Sequence, residues 1–325
     1  MNAHPLCEDH TLPLLLKAEH NTRADDLTAW LLTHRQAVDD WTHAAGAVLI
    51  RGFDIASPTD FRAVCTAIRP ELRNYVGGDS PRQSVTDQVY TSTEYPAHLE
   101  VLLHNELSYA GWSPERLFFG CLVAAASGGE TPIADGRGIY ARLNPTIRDR
   151  FEAHGVTYLQ HLWDAAGEPG VGKSWQQTFE SNSHTTVEAY LREAGMTYTW
   201  TELGLRTAAS HPAVLIHGET GEKCWHNQAD QWHRGVASVK DSVADTANAT
   251  AICETAGTET LGHHATYGDG NEIDVADILH VREVSRACEV VFAWQQGDIM
   301  IIDNVLAMHG RKPFIGNRRI LAAMA

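Results

Sequence analysis

No apolar stretch in the chain approaches the roughly 20 residues that a membrane-spanning helix needs, so no membrane partner is expected. Basic charge is scarce too: 25 Lys and Arg stand against 41 Asp and Glu, for a formal net charge of −16, and no basic run occurs. Nucleic-acid binding rests on phosphate neutralisation by Lys and Arg, so DNA and RNA are not expected partners. Cysteine pairs at metal or redox spacing are missing. The six cysteines, at 7, 65, 121, 224, 253 and 288, show no C-x-x-C spacing, and several sit in apolar segments such as Leu117 to Leu122. They read as reduced, mostly buried thiols of a cytoplasmic protein. Met1 to Asn21 carries Leu14-Leu15-Leu16 without a basic leader or a longer apolar core, so a secretory signal is not expected. Internal repeats are absent as well.

What is present is apolar material for a large core, 43% of 325 residues. Arg23 to Ala45 reads as an amphipathic helix, with Leu27, Trp30, Leu31, Val38 and Trp41 on one stripe. Gly46 ends it, and Ala47 to Ile50 is a strand. Ser57-Pro58 opens a second helix, running to about Arg69, with a capping hydroxyl and a first-turn proline. Tyr75 to Pro96, rich in Gly, Ser, Thr and Pro, is expected to be a long loop and a candidate lid over substrate. Strands are expected over Leu117 to Ala126 and Val156 to Leu162, and a hairpin within Ala213 to Trp225. Helices are expected over Pro145 to His154, Val187 to Glu193, Val236 to Glu254 and Ile273 to Cys288. Gly257 to Asn271 is expected to be the least structured piece.

Short strands around the polar motifs, with helices elsewhere, indicate a mainly β domain with flanking helices, a sandwich or jelly roll. The expected organisation is one domain over 1–325, with a helical portion at about 23–70. A jelly-roll core would occupy about 99–325, with helical insertions at about 185–195 and 236–288.

Within that core, His104-Asn105-Glu106 follows the apolar run Val101 to Leu103. On an extended segment residues i and i+2 share a face, so His104 and Glu106 can aim at one point. His309 follows a second buried strand, Asp298 to Asn304, near the other end of the chain. Two histidines and one carboxylate make the facial triad of a non-haem Fe(II) oxygenase, with coordination positions left open. Arg318 and Arg319 come next, at the head of the apolar run Ile320 to Ala325. A buried guanidinium can clamp a carboxylate bidentately, as a 2-oxoacid cosubstrate would need. Adjacent strand residues face opposite sides, so only one of the two arginines can reach the pocket. His226 and His233, without a third ligand at metal spacing, read as structural.

Three motifs in this order, H-N-E at 104–106, G-G-E-T-P-I-A-D at 128–135 and G-D-I-M-I-I-D-N-V-L-A-M-H-G-R-K-P-F-I-G-N-R-R-I at 297–320, carry a resemblance. They resemble the Fe(II)/2-oxoglutarate-dependent dioxygenases of the taurine dioxygenase and clavaminate synthase-like superfamily, and within it the amino-acid hydroxylases of natural-product pathways. The resemblance implies a double-stranded β-helix, Fe(II), 2-oxoglutarate and O2, with His104, Glu106 and His309 as metal ligands. It implies Arg319 as the residue holding the distal carboxylate of 2-oxoglutarate, with Arg318 as the alternative, and Thr131 as a further contact. A second arginine four residues beyond Arg319 is replaced by Ala323. Halogenating members lack the metal carboxylate, so its presence as Glu106 favours transfer of oxygen to give an alcohol.

Candidate substrate contacts are Arg82 and Tyr90 in the expected lid, Asn105 and Ser108 beside the metal strand, and Arg206, Asn227 and Gln228 downstream. Arg82 or Arg206 would pair with a substrate carboxylate. The leading expectation is hydroxylation of an amino acid, free or tethered to a carrier protein. Desaturation, cyclisation or epoxidation by the same oxidant stays open, as do a zinc-type hydrolase and a cupin-like binding protein. Arg319 and Thr131 would have no evident purpose in a hydrolase.

Overall fold

The structure is a computed structural model that describes residues 1–7, 10–167, 172–235 and 262–325, with only the backbone at 19–21. The chain begins with strands β1 (Ala3–Cys7) and β2 (His10–Arg23), helix α1 (Ala24–Ala45), strand β3 (Ala47–Asp54) and helix α2 (Pro58–Ile68). Strands β4 (Ser84–Thr86), β5 (Val89–Thr91), β6 (Val101–His104), β7 (Arg116–Val123), β8 (Ser127–Gly128) and β9 (Ile133–Asp135) follow. Helices α3 (Gly136–Arg142) and α4 (Pro145–His154) lead to β10 (Val156–Trp163), then α5 (Trp175–Phe179) and α6 (His184–Glu193). Next come β11 (Thr197–Thr201), β12 (Gly204–His211), β13 (Val214–Ile216), β14 (Lys223–Trp225), α7 (Ala229–Trp232) and β15 (His263–Tyr267). Helix α8 (Val275–Ala287) and strands β16 (Ile299–Asp303), β17 (Ala307–Arg311), β18 (Phe314–Ile315) and β19 (Arg319–Met324) complete it.

The largest sheet has the order β1-β2-β3-β16-β7-β19-β5-β4, antiparallel except for the β2–β3 pair. Its central strands are covered on both faces. Val48, Ile50, Phe118, Ile299, Ile301, Leu321 and Ala323 pack under α1 and α2 with Leu27, Leu31 and Phe61. Their neighbours Ala47, Leu49, Leu117, Phe119, Met300, Ile302, Ile320, Ala322 and Met324 face the interior of the jelly roll. Opposite lie the sheets β6-β17-β9 and β11-β12-β10-β15. α2 starts with a capping box between Ser57 and Asp60, with Pro58 in its first turn, and α1 ends at Gly46 in the left-handed region.

Several expectations change. Met1 to Asn21 suggested no element, yet it forms β1 and most of β2, and Leu14 to Leu16 pair in parallel with Val48 to Ile50. The expected loop from Tyr75 to Pro96 contains β4 and β5 on the sheet edge, with Tyr75 and Tyr90 buried. Within Gly257 to Asn271, His263–Tyr267 is a strand paired with β10. The expected helix over Val236 to Glu254 lies outside the described residues. No helix among the described residues is long and apolar enough to cross a membrane.

Candidate metal centre

The pairing of β6 with β17 sets His104 opposite His309, and cross-strand partners on one face bring their side chains together. Gly310 permits the approach, since a Cβ there would stand 2.6 Å from the Val101 carbonyl oxygen. The two imidazole centroids are 4.3 Å apart. Glu106 arrives differently from expectation. β6 ends at His104, and Glu106 sits in a turn where Leu107 has φ 56°. Asn304 holds that turn: its Oδ1 accepts from Glu106 N at 2.8 Å, and its Nδ2 donates to Glu106 O at 3.0 Å and to Pro114 O at 3.0 Å. Glu106 Oε2 comes 3.6 Å from His309 Nε2, and ligand atoms of His104, Glu106 and His309 lie within 4.8 Å of one another.

The donor set fits a divalent ion. His104 Nδ1 donates to the Leu102 carbonyl at 2.8 Å, which leaves the Nε2 lone pair for a metal, and this second bond fixes the ring. Burial, reinforced by His309, lowers His104 to about 3, so it is neutral at physiological pH. Burial alone would raise the Glu106 carboxyl. The Arg82 guanidinium, with smaller help from His309 and His104, outweighs it and holds the group well below the usual carboxylate range. Arg82 donates to Glu106 Oε2 at 2.6 Å and stacks on Tyr75 with its guanidinium carbon 4.3 Å from the ring centre.

A cavity of about 170 Å³ opens over the triad, walled by Tyr75, Tyr109, Phe119, Thr131, Trp232 and Arg318 among others. A second cavity of about 610 Å³ adjoins it at Tyr75, Asp79, Arg82, Tyr95 and His263. Arg318 donates to the Gly129 carbonyl at 2.8 Å and to Ser92 Oγ at 3.2 Å, and approaches Thr131 Oγ1 at 3.5 Å. Burial, with the Arg311 charge, lowers Arg318 to about 10, so it stays charged. Thr131 Oγ1 also accepts from Trp294 Nε1 at 3.1 Å.

Arg319, the favoured arginine, is exposed and absent from both cavity walls. The reason is strand parity. Ile320, Ala322 and Met324 face the interior while Leu321 and Ala323 face the helices, so Arg318 points inward. The bulge between Arg319 and Ile320 places its extra residue on β7 and leaves that parity intact.

Of the substrate candidates, Arg82 and Gln228 line the first cavity and Tyr90 the second. Tyr90 accepts from Tyr75 N and donates to Asn74. Asn105, Ser108 and Asn227 lie outside both cavity walls. Asn105 donates to the Asn304 carbonyl, Ser108 Oγ accepts from Gln228 Nε2, and Asn227 bridges Ala213 O and Ala229 N. Arg206 lies on β12 opposite His161, away from both cavities. Sequence reasoning missed Asn304, Ser92 and Tyr75. Only Asn304 left a signal there, as a polar residue directly after the strand Ile299–Asp303, whose first four residues are apolar.

The match to known proteins covers nearly the whole chain. The family model for the taurine catabolism dioxygenase TauD, TfdA family, matches residues 8–324. The dapdiamide synthesis protein DdaC of Enterobacter agglomerans is 32% identical over 288 residues, 88% of this chain and 84% of that protein. A clavaminate synthase-like protein of Arabidopsis thaliana is 32% identical over 306 residues, 91% of this chain and 86% of its own length. Among solved structures, PvcB, an Fe, α-ketoglutarate dependent oxygenase from an isonitrile synthetic pathway, aligns with TM-score 0.54 at 15% identity over 99% of this chain and 90% of its own. AAD-2 in complex with Mn(II) and N-oxalylglycine aligns with TM-score 0.54 at 11% identity over 100% and 96%. These two likenesses carry the fold, the cupin-like double-stranded β-helix. The chain belongs to the TauD/TfdA family and is a dioxygenase whose cofactor and cosubstrates are Fe(II), 2-oxoglutarate and O2.

Proposed function

We propose that this dioxygenase hydroxylates an unactivated carbon of an amino acid or aminoacyl group, free or carrier-tethered, in a biosynthetic pathway. His104, Glu106 and His309 hold the iron, and Arg318 with Ser92 and Thr131 receives the distal carboxylate of 2-oxoglutarate. When bound, iron, 2-oxoglutarate and O2 supply the oxidising power: one oxygen atom leaves with succinate beside carbon dioxide, and the other enters a substrate C–H bond. The protein orients the reactants and excludes water, with Tyr75, Tyr109, Phe119 and Trp232 as the aromatic wall.

Arg82 carries the substrate assignment. Its side chain is 4% exposed, its ion-pair partner is Glu106, and its Nε has no hydrogen-bond partner. Once Glu106 also serves a dication, its single charge cannot neutralise both. A dianionic 2-oxoacid compensates the metal and Arg318, and one positive charge is left over at Arg82. A substrate carboxylate or carbonyl placed there satisfies it through charge-assisted hydrogen bonds. The names of DdaC and PvcB, a dapdiamide synthesis protein and an oxygenase of an isonitrile pathway, support a biosynthetic setting.

The test presents a panel of free amino acids and carrier-tethered aminoacyl groups to the Fe(II)-loaded enzyme under isotopically labelled O2. A product that gains one labelled oxygen atom, with label also in succinate, is the expected result. A product that has lost two hydrogens and gained no oxygen would replace hydroxylation with desaturation. Turnover only with substrates lacking a carboxyl or carboxyl-derived carbonyl would overturn the role of Arg82.

A further inference from the structure

Two other groups of histidine and carboxylate converge among the described residues. One, His43, His217 and Asp303, already encloses a cation. Arg116 pairs with Asp303 and contacts His43 Nε2 at 2.7 Å, and a second buried cation there would be repelled. In the other, the neighbouring cation, Arg234, is hydrogen-bonded to the carboxylate oxygen that the two rings do not share. His233 directly follows α7, His264 lies on β15, and Glu272 stands in the segment between β15 and α8. Ligand atoms of the three lie within 4.8 Å of one another. Glu272 Oε2 is 3.0 Å from His264 Nε2 and 3.8 Å from His233 Nε2. Arg234 takes the other oxygen, Oε1, at 2.7 Å and leaves Oε2 to the rings.

His233 is the informative residue. Its side chain is 4% exposed, and neither ring nitrogen makes a hydrogen bond. The Ile273 backbone interacts with the ring, but neither nitrogen makes a well-formed hydrogen bond. Leaving a buried polar atom unpaired destabilises the fold, and such an atom in a native protein calls for a partner.

We propose that His233, His264 and Glu272 form a second divalent-metal site, a two-histidine, one-carboxylate site suited to Zn(II) with water as the fourth ligand. The residue preceding each histidine, Trp232 and His263, lines the substrate cavity, and their rings are 4.5 Å apart. The metal therefore staples α7 to β15 directly behind the cavity wall. Loading at His264 Nε2 puts the ring proton on Nδ1, so the long 3.3 Å contact from Arg234 N to Nδ1 is released. The three ligands are spaced H-x30-H-x7-E, a separation that sequence spacing does not flag and that tertiary structure closes.

The site is independent of the oxygenase reading and is tested by counting metal. The purified full chain is stripped with chelator, reloaded with Zn(II), freed of unbound metal and measured for zinc per chain. Wild type is expected to hold two zinc ions, since Zn(II) also fits the His104, Glu106, His309 triad. Glu272→Ala and His264→Ala are each expected to hold one, His104→Ala/His309→Ala one, and the combination of all four substitutions none. Glu272 is 56% exposed, so its truncation leaves the core intact. Zn(II) should raise the Tm of His104→Ala/His309→Ala and lose that effect when Glu272→Ala is added. Two zinc ions retained in both Glu272→Ala and His264→Ala overturn the site. A single zinc in wild type that vanishes only in His104→Ala/His309→Ala overturns it too. A single zinc that vanishes in both Glu272→Ala and His264→Ala and persists in His104→Ala/His309→Ala keeps this site and removes the triad.

Discussion

At the scale of single residues, the proposed hold on the cosubstrate rests on Arg318, which lines the cavity, rather than on the exposed Arg319. Arg318→Ala removes a charge-assisted pair from a largely buried place, at a cost of roughly 2–5 kcal/mol. The KM for 2-oxoglutarate should rise tenfold or more, with Arg319→Ala near wild type in the same steady-state assay. A defect confined to Arg319→Ala would reverse the assignment. Glu106 supports a second prediction, because it neutralises Arg82 with both side chains 4% exposed. Removing one partner of a buried pair costs about 3–5 kcal/mol. Metal-free Glu106→Ala should therefore lose that order of stability in urea unfolding, and Arg82→Ala/Glu106→Ala should recover part of it. Equal stability of Glu106→Ala and wild type would mean that the pair is not formed. The candidate ligands His104, Glu106 and His309 stood out in the sequence only through their companions, the apolar run before His104, the buried strand before His309 and the arginine pair that follows it. The inward arginine was not, since the two adjacent positions carry the same residue and only the parity of β19 separates them.

At the scale of elements, the centre depends on two strands in register and one asparagine. Asn304 closes β16 and donates and accepts at the Glu106 backbone, so it sets the height of the carboxylate over the two histidines. Outer residues that orient ligands are worth 10–100-fold in metal affinity, and Asn304→Ala should weaken Co(II) or Fe(II) binding by roughly that factor. An unchanged dissociation constant would make the asparagine a mere turn former. Arg311 plays a related part, because its guanidinium donates to the Tyr95, Pro96 and Leu99 carbonyls and ties the approach to β6 onto β17. Such ties explain why Tyr75 to Pro96, composed like a free loop, is anchored at the sheet edge and beside the cavity. Helices α1 and α2 were readable from amphipathic stripes and caps. β1 and β2 were not, since a short apolar cluster gives no period, and β15 was hidden by the glycines around it.

At the scale of the whole molecule, burial of neutral imidazoles makes stability depend on pH. His226 is lowered to about 4 and His104 to about 3, both chiefly by burial, and His211 is lowered in the same direction. A depressed folded pKa means that the unfolded chain binds the proton more readily. The contribution is complete above the ordinary value of 6.5 and is lost as pH falls toward the folded values. Metal-free protein should lose stability steadily from about pH 6.5 to 4, with a shallower slope in His226→Gln. A Tm flat over that range would show that these rings are not held below their ordinary pKa in the folded protein. The fold class was visible in short strands gathered around polar motifs, whereas the convergence of His104 with His309 required the β6–β17 pairing. The most direct test of the account is succinate formation from 2-oxoglutarate by the Fe(II)-loaded enzyme under O2, compared among wild type, His104→Ala, His309→Ala and Arg318→Ala. The account predicts succinate from wild type, none from either histidine variant, and recovery of Arg318→Ala only at raised 2-oxoglutarate. Succinate from both histidine variants at the wild-type rate would contradict it.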